Sequence, residues 1–312
     1  MKVAVLLYLY NKNLILEYCQ LLKPISDHIH LFLGLCVDNE IDSQEIKNTL
    51  ENNSIPYTIS IFPNKGLDIG PFLQQLNNID DTEYSSFIKL HSKQSLWGYN
   101  KNIDWRIPLV NSLIGSERIF LENFNTIVNN KHIGMIGNTG FMLGRDKEWN
   151  NTSLIKHIAT NFLNITNEEI SRSDLSFIAG SIFWAKTSVF KKYFSGDTIN
   201  AIYSLLEDNK FTDKDQPRYA HSLERLFGYI IGLSGLQITN GFVDRIINIT
   251  NENQQSYNIV ECYSNRCYVD IDVLIAGTIY KISDKLLINW KHKGVNGFWK
   301  KYKQITDNHY TT

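Results

Sequence analysis

A chain of 312 residues, 43% hydrophobic, 12% aromatic and 20% charged, carries enough apolar material for one large α/β domain or two small ones. That excludes a disulfide-stapled miniprotein and a globally disordered chain. Lys and Arg number 31 against 32 Asp and Glu, a formal net charge of -1, so no field of one sign recruits nucleic acid and any phosphate recognition has to be local.

Val3 to Tyr10 is a continuous apolar run, as in a strand buried on both faces of a parallel sheet, and it is too short to span a membrane. With no small-residue cleavage site behind it, the chain reads as cytoplasmic. Asn11 breaks the run, Leu14 to Leu22 has helical spacing, and His30 to Val37 is a second buried run that stops at Asp38. Ser43 opens a polar helix, Tyr57 to Phe62 makes a third strand, a helix follows Pro71, and Phe87 to Leu90 is a fourth strand leading into His91. Further on, Arg106 to Asn130 is helical, His132 to Gly137 is a short strand, and Ser176 to Ala185 reads as one strand-like run around Gly180. Lys210 to Pro217 is a charged loop and His221 to Leu233 an apolar-faced helix. Tyr268 to Ile275 is β-like, and the tail from Trp290 to Lys303 interleaves aromatics with lysines. That tail suits either an interfacial helix on anionic lipid or a closing helix with solvated lysines. The four cysteines form no Cys-x-x-Cys pair and read as reduced thiols.

The alternation of strand and helix predicts an α/β fold with a mostly parallel, doubly wound sheet and a ligand crevice at the carboxyl ends of its strands. Asn11 and Asp38 stand at two such ends. Asn64 to Phe72 lies where the third strand hands over to a helix. Gly66 there permits close approach of a ligand, and Asp68 either accepts from sugar hydroxyls or caps the helix. Lys89, His91 and Lys93 share one side of the fourth strand if it continues, and three cations together need an anion between them, as a diphosphate would be. The bland reading is a solvated Lys93 and a hydrogen-bonded His91. Arg106 offers a fork of phosphate donors or a plain surface charge. Gly180, Ser181 and Trp184 form an acceptor-side wall or a core strand. His221 and Glu224, three apart, share a helix face; Glu224 serves as a general base or pairs with Arg225, with Ser222 as the helix cap. A catalytic metal is not expected: there is no His-Glu-x-x-His, no cysteine cluster and no Asp-x-Asp after a strand, since Asp213 and Asp215 sit in a loop and Asp270 and Asp272 in an alternating run.

Asn64-x-Gly66-x-Asp68-Ile69-x-Pro71-Phe72, Lys89-Leu90-His91-Ser92-Lys93, Trp105-Arg106, Gly134-Met135-Ile136, Ala179 to Trp184 and Glu224-Arg225-Leu226-Phe227 follow one another in an order that resembles the rhamnan synthesis protein F family over roughly residues 1–235. The resemblance implies a glycosyltransferase A-type fold and an inverting transfer of a sugar, often rhamnose, from a nucleotide diphosphate donor to a glycan or lipid-linked glycan at the cytosolic membrane face. It gives donor-crevice roles to Asn64, Gly66, Asp68, Lys89, His91 and Lys93, and makes Glu224 the base. On this reading residues 1–239 are a catalytic domain, with a donor half of about 1–105 and an acceptor half of about 106–239, and 240–312 are a C-terminal extension. Expected partners are the nucleotide-sugar donor, the glycan acceptor and a peripheral membrane contact, with no nucleic acid and no cofactor. The rivals are a non-catalytic glycan- or lipid-binding subunit and a sugar-phosphate or nucleotidyl transferase using the same basic crevice.

Overall fold

The computed structural model describes residues 2–37, 43–93, 96–97, 103–104, 106–138, 141–208, 217–241, 246–250, 256–261, 269–275 and 278–280. The first half runs β1 (Val3–Leu9), α1 (Ile15–Leu22), β2 (Ile29–Cys36), α2 (Ser43–Asn52), β3 (Tyr57–Phe62), α3 (Ile69–Asn78), β4 (Ser86–His91), and the short strands β5 (Leu96–Trp97) and β6 (Ile103–Asp104). There follow α4 (Arg106–Ile114), α5 (Glu117–Asn129), β7 (Ile133–Gly137), β8 (Met142–Gly144), α6 (Thr152–Phe162), α7 (Asn167–Ile170), β9 (Ser176–Ile178), β10 (Phe183–Lys186), α8 (Thr187–Tyr193), α9 (Gly196–Leu205), α10 (Tyr219–Leu233) and β11 (Gln237–Asn240). A separate four-stranded antiparallel sheet comprises β12 (Ile246–Thr250), β13 (Ser256–Glu261), β14 (Val269–Ile275) and β15 (Thr278–Tyr280). Among the described residues no helix is long and apolar enough to cross a membrane.

The main sheet has the order β11-β7-β10-β4-β1-β2-β3, and every pairing is parallel except those of β10 with β4 and β7. This is the mostly parallel, helix-flanked sheet that the alternation predicts. Every residue of β1 and β4 is buried, because each central strand has neighbours on both edges and helices on both faces. Tyr8 pairs with His91, so the carboxyl ends of β1 and β4 are level. Since β10 runs the other way, with Phe183 opposite Lys89, the turn that precedes it arrives at that same end. Phe72, Phe87, Phe183, Phe190 and Phe227 cluster beneath, with Phe87 to Phe190 at 5.0 Å and Phe72 to Phe227 at 5.1 Å between ring centroids, and Phe72, Phe87, Phe183 and Phe190 are fully buried. Such a cluster ties α3, β4, β10, α8 and α10 into one rigid support.

Two expected elements are divided. The run Ser176 to Ala185 is not one strand: Gly180 has φ 89 and Ser181 φ 50, outside the extended region, so β9 leaves to pair with β8 while β10 enters the main sheet. The helix expected over Arg106 to Asn130 breaks at Gly115, and Ser116 caps the second part by accepting from the Ile119 amide at 3.2 Å. Cys19 and Cys36 are buried free thiols, as expected of reduced cysteines. Cys262, Cys267, Asp38, Trp105, the 210–216 loop and the 290–303 tail lie outside the described residues.

Candidate active site

Lys89 and His91 are two apart on β4 and therefore face the same side. Lys89 is 1% exposed. Its Nζ donates to Asp68 Oδ2 at 2.6 Å, to the Ser181 carbonyl at 2.9 Å and to Ser181 Oγ at 2.9 Å. An ammonium has three protons, so this one is saturated. The anion that the cations require is supplied from within the chain by Asp68, whose Oδ2 also accepts from Ser181 Oγ at 2.6 Å. Burial alone would raise the Asp68 carboxyl, but Lys89, with His91 and Lys93 behind it, outweighs burial and holds it well below the usual carboxylate range. Burial draws the Lys89 ammonium below its ordinary value, against the opposing pull of Asp68. Asp68 occupies the cap position of α3 without capping it; its side chain is spent on the ion pair.

His91 Nε2 lies 2.9 Å from the Gly180 carbonyl, which can only accept, and its Nδ1 accepts from the Lys93 amide at 3.2 Å. One nitrogen must carry a proton and the other must not, so the ring is the neutral Nε2–H tautomer. Burial lowers it accordingly to about 4. His91 is thus a hydrogen-bonded positioning group in this arrangement and not the second free cation that the spacing suggested.

The amide of the same glycine meets α10. The Gly180 amide donates to Glu224 Oε1 at 2.7 Å, and Glu224 Oε2 accepts from Arg225 Nη1 at 3.0 Å. A side chain at Gly180 would both strain the left-handed backbone and set its Cβ 2.7 Å from Leu109 Cδ1. Helix α10 approaches closely because Gly228 faces β9: a Cβ there would lie 2.3 Å from the Ser176 carbonyl oxygen. Its first amides, Tyr219 and Ala220, are capped by the Glu207 carboxylate. Ser222 is therefore not the cap; it sits inside the helix and donates to the Arg218 carbonyl at 2.8 Å. His221, one turn before Glu224, is held below its ordinary pKa chiefly by burial, and also by Arg225, Arg218 and Lys93 against the pull of Glu224. The Lys93 charge helps to lower the pKa of Asp68, His91 and His221 alike.

The structure brings most of the remaining candidates to the same end of the sheet. Asn11 follows β1 and its amide donates to Ser92 Oγ at 2.8 Å. Asn64 is buried in the loop before α3, and Gly66, with φ 65, fastens that loop by donating its amide to the Glu207 carbonyl at 2.8 Å. Two candidates are placed elsewhere. The Arg106 guanidinium is buried and forked onto Glu17, at 2.6 and 3.0 Å, so its donors are committed to α1 and do not open into the crevice. Trp184 is fully buried in mid-sheet, donates to Ser86 Oγ at 3.0 Å and packs against Phe120 with ring centroids 5.1 Å apart, so it is a core residue and not an acceptor wall. Among the described residues no three His, Cys, Asp or Glu side chains gather as a metal site would need. Arg225 carries more than the motif indicated: its guanidinium lies 4.9 Å from the Phe177 ring centroid and 4.6 Å from that of Trp149. Trp149 was the residue that sequence reasoning passed over, and its one signal is a lone large aromatic inside the polar run Asp146 to Asn151.

A mostly parallel α/β sheet with an ionisable cluster at the carboxyl ends of β1 and β4 defines a protein of the crevice-binding α/β class. Residues 1–235 match the family described as rhamnan synthesis protein F, and the chain belongs to that family. Curated relatives are the uncharacterized protein WxcX of Xanthomonas campestris pv. campestris, in strain B100 and in a second strain, each 25% identical over 209 residues that make up 66% of this chain. The match spans only 28% of the length of those relatives. Among solved structures, glucosyl-3-phosphoglycerate synthase from Mycobacterium tuberculosis, in complex with Mn2+, uridine-diphosphate and glucosyl-3-phosphoglycerate, aligns with 13% identity over 78% of this chain and 72% of that one, with a TM-score of 0.36.

Proposed function

We propose that this chain is an inverting glycosyltransferase with a glycosyltransferase A-type fold, which moves a sugar, rhamnose by the family's name, from a nucleotide diphosphate donor to a growing cell-surface polysaccharide at the cytosolic face of the membrane. The observation that supports it best is the linkage of Glu224 to His91 through the amide and the carbonyl of Gly180. It sets a carboxylate, 16% exposed at the side chain, at the mouth of the strand ends. In the step proposed, Glu224 takes the proton of an acceptor hydroxyl as that oxygen bonds to the anomeric carbon, and the bond from that carbon to the phosphate oxygen breaks. The nucleoside diphosphate leaves with the electron pair. Lys93, two residues beyond His91, balances its charge. Lys89, Asp68, Ser181 and His91 hold the shape into which donor and acceptor fit, and Asn64 and Gly66 line the donor side.

The test is release of nucleoside diphosphate by the full chain, with donors chosen from a panel of nucleotide sugars by thermal shift. Turnover that is lost in Glu224→Gln, while the donor-induced melting shift persists, supports the base role; near-normal turnover in that variant overturns it. The internal saturation of Lys89 and His91 favours one other reading, a glycan-binding subunit without chemistry. Glycan affinity by calorimetry, together with no shift by any nucleotide sugar, would select that reading instead.

A further inference from the structure

One exposed side chain beside the cluster is held against its own backbone preference. Trp149 has φ 53, a left-handed value that bulky residues rarely adopt, and it is 55% exposed. The residues that flank Trp149 and the exposed Asn150, Glu148 before them and Asn151 after, are buried and fastened. Glu148 accepts from Arg145 Nε at 2.9 Å, from the Tyr229 hydroxyl at 3.1 Å and from the Thr152 hydroxyl at 2.8 Å. Asn151 Oδ1 accepts from the Arg218 amide at 3.0 Å. These bonds fix the chain on either side, so the indole is presented outward by construction. It lies over the Arg225 guanidinium at 4.6 Å, and Arg225 holds Glu224 at 3.0 Å. Covering Arg225 occupies part of the indole, and the rest of it meets solvent within two contacts of the Glu224 carboxylate.

We propose that Trp149 is the platform for the saccharide acceptor, an assignment that rests on the glycosyltransferase reading above. A pyranose carries an apolar face of C–H groups, which lies on an aromatic face while the ring hydroxyls stay free for hydrogen bonding. Laid on the exposed indole, such a ring presents a hydroxyl to Glu224. Arg225 is the positioning residue of this pair: its stack with Trp149 and its hydrogen bond to Glu224 fix platform and base relative to one another.

The test uses the full chain, with methyl α-L-rhamnopyranoside and methyl β-D-glucopyranoside as probes read by saturation-transfer NMR. Trp149→Gly removes the ring and suits the left-handed backbone, so the fold is kept, and Trp149→Phe restores an aromatic face. The expected result is saturation of the sugar C–H protons in the wild type, roughly tenfold weaker binding in Trp149→Gly and partial recovery in Trp149→Phe. Equal signals in the wild type and Trp149→Gly, or no glycoside signal in the wild type, overturn the platform. Melting shifts with UDP-glucose and dTDP-rhamnose report the donor side separately. A normal nucleotide shift in Trp149→Gly alongside lost glycoside binding places the defect on the acceptor side, whereas absence of any nucleotide shift in the wild type counts against the glycosyltransferase reading and leaves the glycoside result to judge Trp149 alone.

Discussion

The Gly180 amide donates to Glu224 Oε1 at 2.7 Å, so a residue in the turn before β10 holds a carboxylate on α10, 44 positions away in sequence. The carbonyl of the same residue faces the His91 ring. The backbone of one residue in a left-handed conformation therefore links a central strand to helix α10. This makes Gly180 the most economical place to disturb the cluster without touching any charged group.

Gly180→Ala should lower stability by about 1–3 kcal/mol, the scale of forcing a side chain into an unfavourable backbone region, with the Leu109 contact adding to it. Denaturant titration measures the loss. The same variant should release Glu224, so nucleoside diphosphate formation should fall more than the unfolded fraction accounts for. Activity in proportion to the folded fraction would show that Glu224 needs no such tether.

The Asp68–Lys89 pair is buried on both sides. Removing one charge leaves the other without a partner in an apolar setting, so Asp68→Asn should cost about 3–5 kcal/mol. The double variant Asp68→Asn/Lys89→Gln should cost clearly less than the sum of the two single changes, because neither charge is then stranded. Additive losses in urea midpoints would mean that the two side chains act independently.

His91 supplies a pH signature. Its pKa falls from 6.5 to about 4 on folding, so between those values the unfolded chain binds a proton that the native one refuses, and stability rises with pH across that window. The contribution is fully present above 6.5, and acidification to pH 4 removes on the order of 3 kcal/mol. His221 and His30, also lowered by burial, add to the slope with the same sign. Melting curves at half-unit steps should therefore steepen below pH 6.5, and His91→Asn should flatten that dependence. An unchanged slope in the variant would assign the acid sensitivity to the other histidines.

What was legible beforehand follows a physical division. The run Val3 to Tyr10 was readable as a strand because burial on both faces leaves an uninterrupted apolar signature, whereas Tyr57 to Phe62, which forms an edge strand, carries Thr58 and Ser60 and buries no residue fully. The residues at their ends were found because open α/β sheets expose that edge. Pairing was not legible. No local pattern says that Asp68 satisfies Lys89, that Glu17 claims Arg106, or that His91 meets the Gly180 carbonyl, since each partner is set by connections of tens of residues. The divided run at Gly180 shows the same limit on a smaller scale: strand-like composition on both sides of a left-handed pair conceals a change of sheet.

Arg225 offers the sharpest test of how the site is held. A lysine would keep the charge but not the planar fork, and it could not lie flat at 4.6 Å and 4.9 Å from the Trp149 and Phe177 rings while also reaching Glu224 Oε2 and the His221 carbonyl. Arg225→Lys should therefore leave the nucleotide-induced melting shift within about 1 °C of wild type, since for a chain of this size 1 kcal/mol moves the melting point by roughly 2–4 °C. It should also lower kcat for transfer by roughly tenfold or more, as expected when a base loses its orientation. A mainly raised acceptor KM with intact kcat would mean that Arg225 supports the indole platform and leaves Glu224 in place. Loss of the nucleotide shift would mean that the guanidinium reaches the donor crevice directly.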